Sequence, residues 1–289
     1  MSRKTEAEQI KGIRAYYQES ETAYNNWGRD LEREGIYALH CGYEDPGEDI
    51  SHWESIKRLT LKVIDFMKVE DGDTVLDAGC GAGAATFEIK EQYPNTTVHG
   101  INLALNQLIS ARTFAMEAGI SGAFFELQDY LETAFQDNSF DKVVFIESIA
   151  HAQTKRQALQ EANRLLKPGG SLIIADIFFN REFENKDERE WASELARGWF
   201  MPDLSSLDTF RAETEETGMK LEVVRDISAN ILPSTLRMRL NSEKRLSESN
   251  EDNPVSDEIY WSRRAVVASH KVVESGLIGY YLLRLKKSI

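Results

Sequence analysis

Cysteine, proline and positive charge are all scarce in this chain, and each shortage excludes something. Only Cys41 and Cys80 are present, with no C-x-x-C spacing, which argues against a disulfide framework and against zinc sites built from closely spaced ligand pairs. Six prolines and 18 glycines in 289 residues exclude fibrous or low-complexity character. Against 48 Asp and Glu there are 34 Lys and Arg, a formal charge of −14. Such a chain repels nucleic-acid phosphates and anionic membranes, whose binding depends on Lys and Arg. No window approaches the ~20 uninterrupted apolar residues of a membrane span. The opening MSRKTEAEQIKGIR is charged and lacks the apolar core of a secretory signal. The expectation is a cytoplasmic protein whose partner is a small molecule.

What is present is a 42% hydrophobic chain, long enough for one large α/β domain with a cap. The first 70 residues are helical in pattern and aromatic, with Tyr24, Trp27, Tyr37, Tyr43 and Trp53 among them. From residue 73, short apolar runs alternate with amphipathic stretches. DTVLDAGCG, TVHGINLA, AFFELQD, DKVVFIES and GSLIIADIFF are five such runs, spaced as βαβ units require. Helical periodicity fills 84–92, 105–118 and 154–166, and KPGG at 167–170 reads as a break before the fifth run. LEVVRDI and YYLLRL supply two further strands, and a helix is expected over 257–275. The polar stretch 241–256, NSEKRLSESNEDNPVS, reads as a mobile surface insertion. The sum is a doubly wound, seven-stranded, mostly parallel sheet at 71–289 behind an N-terminal helical cap at 1–70. Insertions around 182–218 and 228–275 complete the expected organisation. Ligands of such sheets bind outside the carboxyl ends of the strands.

The first of those ends is VLDAGCGAG. Gly79, Gly81 and Gly83 allow positive φ and close backbone approach to a ligand. Gly79-x-Gly81-x-x-Ala84 also fits a relaxed dinucleotide fingerprint. Asp77 discriminates: a carboxylate there repels a pyrophosphate but pairs with an ammonium group. S-adenosyl-L-methionine carries an ammonium and a sulfonium and no phosphate. The fourth strand ends in FIESIAHAQ, with Glu147 breaking the apolar run and His151 four positions later. By strand order Glu147 stands at the switch point beside the first strand. There it serves as a base or a partner for positive charge; alternatively it only begins a helix, with Ser148 as cap and His151 facing solvent.

D-x-G-x-G-x-G after a first strand resembles the class I, Rossmann-like methyltransferases. HGINLALNQLISAR at 99–112 and ESIAHAQ resemble segments of the sterol, tocopherol and geranyl diphosphate C-methyltransferase subgroup. YYQESETAYNNWG, LHCGYE, the Ser-Ile-Lys-Arg of HWESIKR and EANRLLKPGG add to the likeness, which covers roughly residues 14–180. The resemblance implies that Asp77, Gly79, Cys80, Gly81 and Gly83 hold the cofactor's amino-acid end, with Cys41 and Gly42 of the LHCGYE loop closing over it. It places Asn102, Leu103 and Gln107 at the ribose, where Asn102 and Ala104 replace the subgroup's Thr and Ser. Gln128, Asp129 and Tyr130 fall at the adenine, and Glu147 beside the methyl group, with His151 as second polar contact. Tyr24, Trp27, His40, Tyr43, His151, Trp199 and Phe200 are the expected acceptor residues. Aromatic faces suit a sulfonium or carbocation, although aromatic stripes also build ordinary cores. His40 and Cys41, adjacent on one loop, make poor zinc geometry, and no metal is expected.

The expectation is S-adenosylmethionine-dependent C-methylation of a hydrophobic, isoprenoid-like alkene or an aromatic ring. The alternatives are O- or N-methylation of a natural-product scaffold, and a cofactor-binding relative acting as a cyclase or regulatory module. A homo-oligomer is compatible with all of them.

Overall fold

The computed structural model describes residues 38–202, 204–249 and 255–288, together with Gly12. Helix α1 (His52–Met67) starts where Ser51 accepts a hydrogen bond from the Glu54 N–H at 3.1 Å, satisfying one orphan donor of the first turn. Its apolar stripe, including Leu59, Val63 and Ile64, packs with Val75, Val144 and Ile173 of the sheet. Each such side chain taken from water contributes roughly 1.5–3 kcal/mol. Helix α1 therefore shares the sheet's own core. The remainder of the expected cap, including Tyr24 and Trp27, lies outside the described residues.

Strands and helices then alternate: β1 (Thr74–Ala78), α2 (Ala84–Gln92), β2 (Thr97–Asn102), α3 (Leu105–Glu117), β3 (Ala123–Leu127) and β4 (Phe140–Ile146). A 3-10 turn (Ile149–His151) leads to α4 (Lys155–Leu165), β5 (Leu166–Phe179), α5 (Lys186–Gly198) and α6 (Leu207–Glu216). The chain ends in β6 (Met219–Asp226), α7 (Ser228–Ser247), α8 (Asp257–Glu274) and β7 (Ile278–Lys287). The sheet order is β3-β2-β1-β4-β5-β7-β6. Pairing is parallel from β3 through β5 and antiparallel on both sides of β7. Successive residues feed opposite faces: Val144 and Ile173 join the core under α1, while Val143 and Leu172 join the one that includes α4. Both faces are covered, which is why these strands read as unbroken apolar runs. Chain order reverses between β1 and β4, so the switch-point crevice opens over their carboxyl ends.

Two sequence expectations are corrected. KPGG is not a break before β5 but part of it: Leu166 pairs with Phe140, the register shifts, and pairing resumes at Ser171 opposite Lys142. Gly169 takes the left-handed backbone (φ 76°) that such an irregularity needs. The polar run from 241 is not a surface insertion up to Ser247, because α7 continues through it. Its buried stripe contains Ser234, Thr235 and Ser242 beside Ile231 and Met238, and small hydroxyl residues hide a helical face from hydrophobic periodicity.

Candidate active site

The apolar β1 ends at Asp77-Ala78, and three glycines reverse the chain into α2 with φ of 85° (Gly79), 55° (Gly81) and 88° (Gly83). A Cβ on Gly79 would lie 2.5 Å from the Ser148 Cβ, so the loop after β1 meets the segment after β4 where only glycine fits. The Ser148 hydroxyl locks that approach by donating to the Ala78 carbonyl at 2.6 Å. Asp77 is buried and accepts a 2.8 Å hydrogen bond from the Thr86 hydroxyl. Burial pushes its carboxyl up to about 6, against the pull of Thr86.

Asp77 faces a cavity whose floor is Gly79, Cys80 and Gly81 and whose far wall is Asn102, Leu103 and Gln107. Asn102 takes the Leu103 N–H at 2.8 Å on its oxygen and donates to the Gln107 Oε1 at 2.6 Å. That leaves the buried Gln107 Nε2 without a partner, a costly donor unless a ligand supplies an acceptor. Gln128 and Tyr130 close one side, and Leu39 and His40 another. Among the described residues no lysine or arginine lines this cavity. The donor set, one carboxyl and an orphan amide with no cation, fits a ligand bearing an ammonium and hydroxyls, and fits a pyrophosphate poorly.

Glu147 follows β4 in left-handed backbone with φ 48°, a strained conformation for a residue other than glycine. Two hydrogen bonds hold it there. Its N–H donates to the Ala175 carbonyl at 2.8 Å and its Oε1 accepts from the Cys41 N–H at 2.8 Å, while the Tyr280 hydroxyl donates to the same Ala175 carbonyl at 3.4 Å. Burial pushes the carboxyl up to about 8, opposed by the Cys41 N–H and reinforced by the neighbouring Asp176. Glu147 does not begin a capped helix, since the Ser148 side chain makes no cap bond to the 3-10 turn. Nor does His151 face solvent: burial lowers its imidazole to about 4, and its ring meets the backbone of Phe200 and Trp199. It is neutral at physiological pH.

A second cavity lies against the first. Leu39, Glu147 and His151 line both, so these residues form the boundary between them. From that boundary the second cavity extends between α7 and α8, past Ile177, Leu195, Trp199 and Met201. Its lining mixes apolar side chains, among them Ile231, Met238, Val266 and Val272, with polar ones such as Thr235, Ser242 and Ser269, and Trp199 is its one indole or phenyl ring among the described residues.

The structure thus brings together at the first cavity Asp77, Gly79, Cys80, Gly81, Asn102, Leu103, Gln107, Gln128, Tyr130 and Glu147. Other expected residues stand elsewhere. Gly83 serves the turn, where a Cβ would strike Phe87 and Phe125 at 2.9 Å. Asp129 turns its carboxylate to the Leu131 N–H at 2.9 Å. Gly42 packs on Ser55 and donates to the Ser234 hydroxyl at 2.8 Å, and Cys41 lines the second cavity instead of the first. Of the expected acceptor residues, His151 and Trp199 line the second cavity and His40 the first. Tyr43 lies under Lys62 with its hydroxyl on Asp45, and Phe200 packs against Gly12 while Met201 takes the lining position.

Sequence reasoning missed Asp176, whose carboxylate lines the second cavity and accepts from the Ala150 N–H at 3.0 Å and the Ile177 N–H at 2.8 Å. Burial raises it to about 6. Its signal was available: an acid interrupting LIIADIFF, the same pattern that singles out Asp77 and Glu147. Tyr280 and the α7 and α8 linings carried no comparable mark.

A strand-end carboxyl over a glycine turn, beside a second, apolar cavity, defines a doubly wound enzyme that brings a cationic ligand to an apolar one. The chain belongs to the methyltransferase-domain family, whose profile matches residues 69–222. It is similar to the O-methyltransferase cnsE of Penicillium expansum, 31% identical over 198 residues, covering 68% of this chain and 70% of that protein. Similarity to the sterol 24-C-methyltransferase ERG6 of Saccharomyces cerevisiae is 29% over 165 residues, 56% of this chain and 43% of that protein. The cyclopropane synthase MmaA2 from Mycobacterium tuberculosis shares the fold, with a TM-score of 0.80 at 17% identity over 96% of this chain and 98% of that one. The protein is an S-adenosylmethionine-dependent methyltransferase. No described helix is long and apolar enough to cross a membrane.

Proposed function

We propose that this enzyme methylates a hydrophobic small molecule, with the cofactor in the cavity over β1 and β2 and the acceptor between α7 and α8. The observation that carries the reading is the shared boundary: Glu147 and His151 line both cavities. Asp77 would pair with the ammonium of S-adenosylmethionine, Asn102 and Gln107 with its ribose hydroxyls, and Gln128 and Tyr130 would flank the adenine. Bound there, the cofactor supplies a methyl group made electrophilic by its sulfonium.

The receiving atom we favour is a hydroxyl oxygen. Glu147, His151 and Asp176 put three hydrogen-bonding groups at the boundary end of the cavity, more than an alkene can engage. Glu147 keeps its proton near neutral pH because it is buried. Positive charge entering beside it favours the carboxylate, which then takes the acceptor's proton as general base. The rest of the acceleration comes from holding the two reactants in line. The apolar part of the lining with Trp199 also suits a second reading, C-methylation of an isoprenoid-like alkene or aromatic ring, in which Glu147 removes a proton from carbon.

The test is turnover with methyl-labelled S-adenosylmethionine and paired acceptors, an apolar alcohol or phenol and an isoprenoid alkene, read by carbon NMR. A methoxy resonance is expected. A carbon-bound methyl would transfer the assignment to the second reading, and absence of S-adenosylhomocysteine with every apolar acceptor would sink both.

A further inference from the structure

The second cavity has a direction and a length. Ile231, Thr235, Met238, Ser242 and Arg245 of α7 line it, a spacing of four, three, four and three that keeps one helical face turned inward. At 1.5 Å per residue, the helix from Ile231 to Arg245 spans about 21 Å. Its N-terminal end is the Glu147 end: the Tyr280 N–H donates to the Ser228 hydroxyl at 2.9 Å, and the Gly42 N–H to Ser234 at 2.8 Å. Helix α8 lines the same cavity, with Val272 and Val273 toward β7 and Ile259 and Arg263 at the opposite end. There the Arg263 Nη1 donates to the Arg245 carbonyl and the Ser249 hydroxyl, both at 3.0 Å.

Two arginines therefore stand together at the end remote from the methyl-transfer point. Neighbouring arginines are neutralised: Arg237 by Glu44, Arg239 by Glu243 and Arg264 by Glu194. Arg245 and Arg263 have no carboxylate within 4.0 Å among the described residues, although the chain carries 14 more acidic than basic groups (48 against 34). The acid that acts on Arg263, Glu248, faces Lys244 at 3.9 Å. Burial and then the Arg245 charge hold the Arg263 guanidinium below its ordinary value, and an anion would relieve both.

We infer that the acceptor is an elongated apolar molecule with an anionic group, a carboxylate or a phosphate, which Arg245 and Arg263 hold at the far end while Glu147 meets the reacting atom. This rests on the reading of this cavity as the acceptor site. Guanidinium groups bind such oxygens through charge-assisted hydrogen bonds, and the cavity length then sets which atom of the chain reaches the boundary.

Calorimetry on the full chain saturated with S-adenosylhomocysteine, using dodecanoate, dodecyl phosphate and dodecanol, tests it. At least one anion should bind about tenfold or more tightly than dodecanol, and Arg245→Gln and Arg263→Gln should each remove about tenfold of that preference. Dodecanol affinity and S-adenosylhomocysteine affinity should stay as in the wild type. The tighter anion names the group. Arg245→Lys, which keeps the charge, should retain most of the preference and guards against a misfolded Gln variant. Equal binding of alcohol and anions, or full anion affinity in both Gln variants, overturns the inference. Wild-type protein that binds no S-adenosylhomocysteine would instead strike the assignment of the cofactor cavity.

Discussion

Cys41 and Glu147 lie 106 positions apart in the chain and are joined by one hydrogen bond, the Cys41 N–H donating to the Glu147 Oε1 at 2.8 Å. The bond ties the loop before α1 to the end of β4. It fixes the carboxyl at the boundary of the two cavities and uses one lone-pair site of Oε1, leaving the other oxygen for a ligand. The loop is anchored from its other side by the Glu44–Arg237 pair and by the Glu44 N–H on the Asn230 carbonyl at 2.9 Å. Helix α7, the loop and the strand end thus form one frame.

Glu147→Gln separates proton transfer from that framing, because the amide oxygen still accepts from Cys41. Loss of the base should lower kcat about 10²-fold or more, with S-adenosylhomocysteine affinity within a few-fold of wild type. Glu147→Ala also releases the Cys41 N–H and should raise the acceptor KM in addition. Steady-state formation of S-adenosylhomocysteine measures both; an unchanged kcat in Glu147→Gln would remove the glutamate from the chemistry.

Cofactor binding should release a proton at Glu147. With its carboxyl at about 8 in the ligand-free protein, most of it is protonated near pH 7, and an adjacent sulfonium lowers that value. Calorimetric enthalpy should then depend on the ionisation heat of the buffer for S-adenosylmethionine and much less for S-adenosylhomocysteine, which lacks the sulfonium charge. The difference should vanish well above pH 8. Asp77 titrates lower and meets the same ammonium in both ligands, so it cancels in the comparison.

Asp77→Asn should trade binding for stability. The folded carboxyl sits at about 6 against 3.8 ordinarily, so between those values the folded protein holds a proton that the unfolded chain has lost. Its contribution is fully present below about pH 4 and is lost as pH rises through 6. At pH 8 the buried charge costs up to roughly 3 kcal/mol. Denaturant titration of the ligand-free variant should show a gain near pH 8 that disappears near pH 4, while cofactor affinity collapses. A variant no more stable than wild type at pH 8 would show that Asp77 carries no such cost.

The two loop glycines should fail differently. Gly79→Ala drives a Cβ to 2.5 Å from Ser148 at φ 85°, which should cost about 1–3 kcal/mol of stability and abolish cofactor binding. At Gly81 the nearest atom to an added Cβ is the Gln107 Oε1 at 4.0 Å. Gly81→Ala should therefore lose only about 1–2 kcal/mol from its left-handed backbone, while the methyl group obstructs the cavity. Thermal unfolding beside calorimetry distinguishes them; equal destabilisation would mean that the Ser148 approach relaxes freely.

The strand-end residues were legible because they break a local rule. An acid or a glycine turn terminating an apolar run is improbable in a core, and Asp77, Gly79, Gly81 and Glu147 all show it. Asp176 shows it too and passed unremarked inside a longer apolar run. Asp129 shows why the rule is insufficient: two residues can end the same strand while one turns inward and the other satisfies its own turn. The acceptor cavity was hardly legible at all. Its lining on α7 alternates Ile231 and Met238 with Thr235, Ser242 and Arg245, so hydrophobic period alone reads its second half as solvated loop.

By itself, then, the sequence determined the succession of strands and helices, the glycine turn and the carboxyls that end β1 and β4, because residue period and backbone freedom are encoded within a few neighbours. Only the tertiary structure decided that Glu147 bridges two cavities, that the Cys41 N–H holds it, and that Arg245 and Arg263 share one end. Burial, proton affinity and cavity shape arise from groups distant in the chain, which meet only once the sheet and its helices have packed.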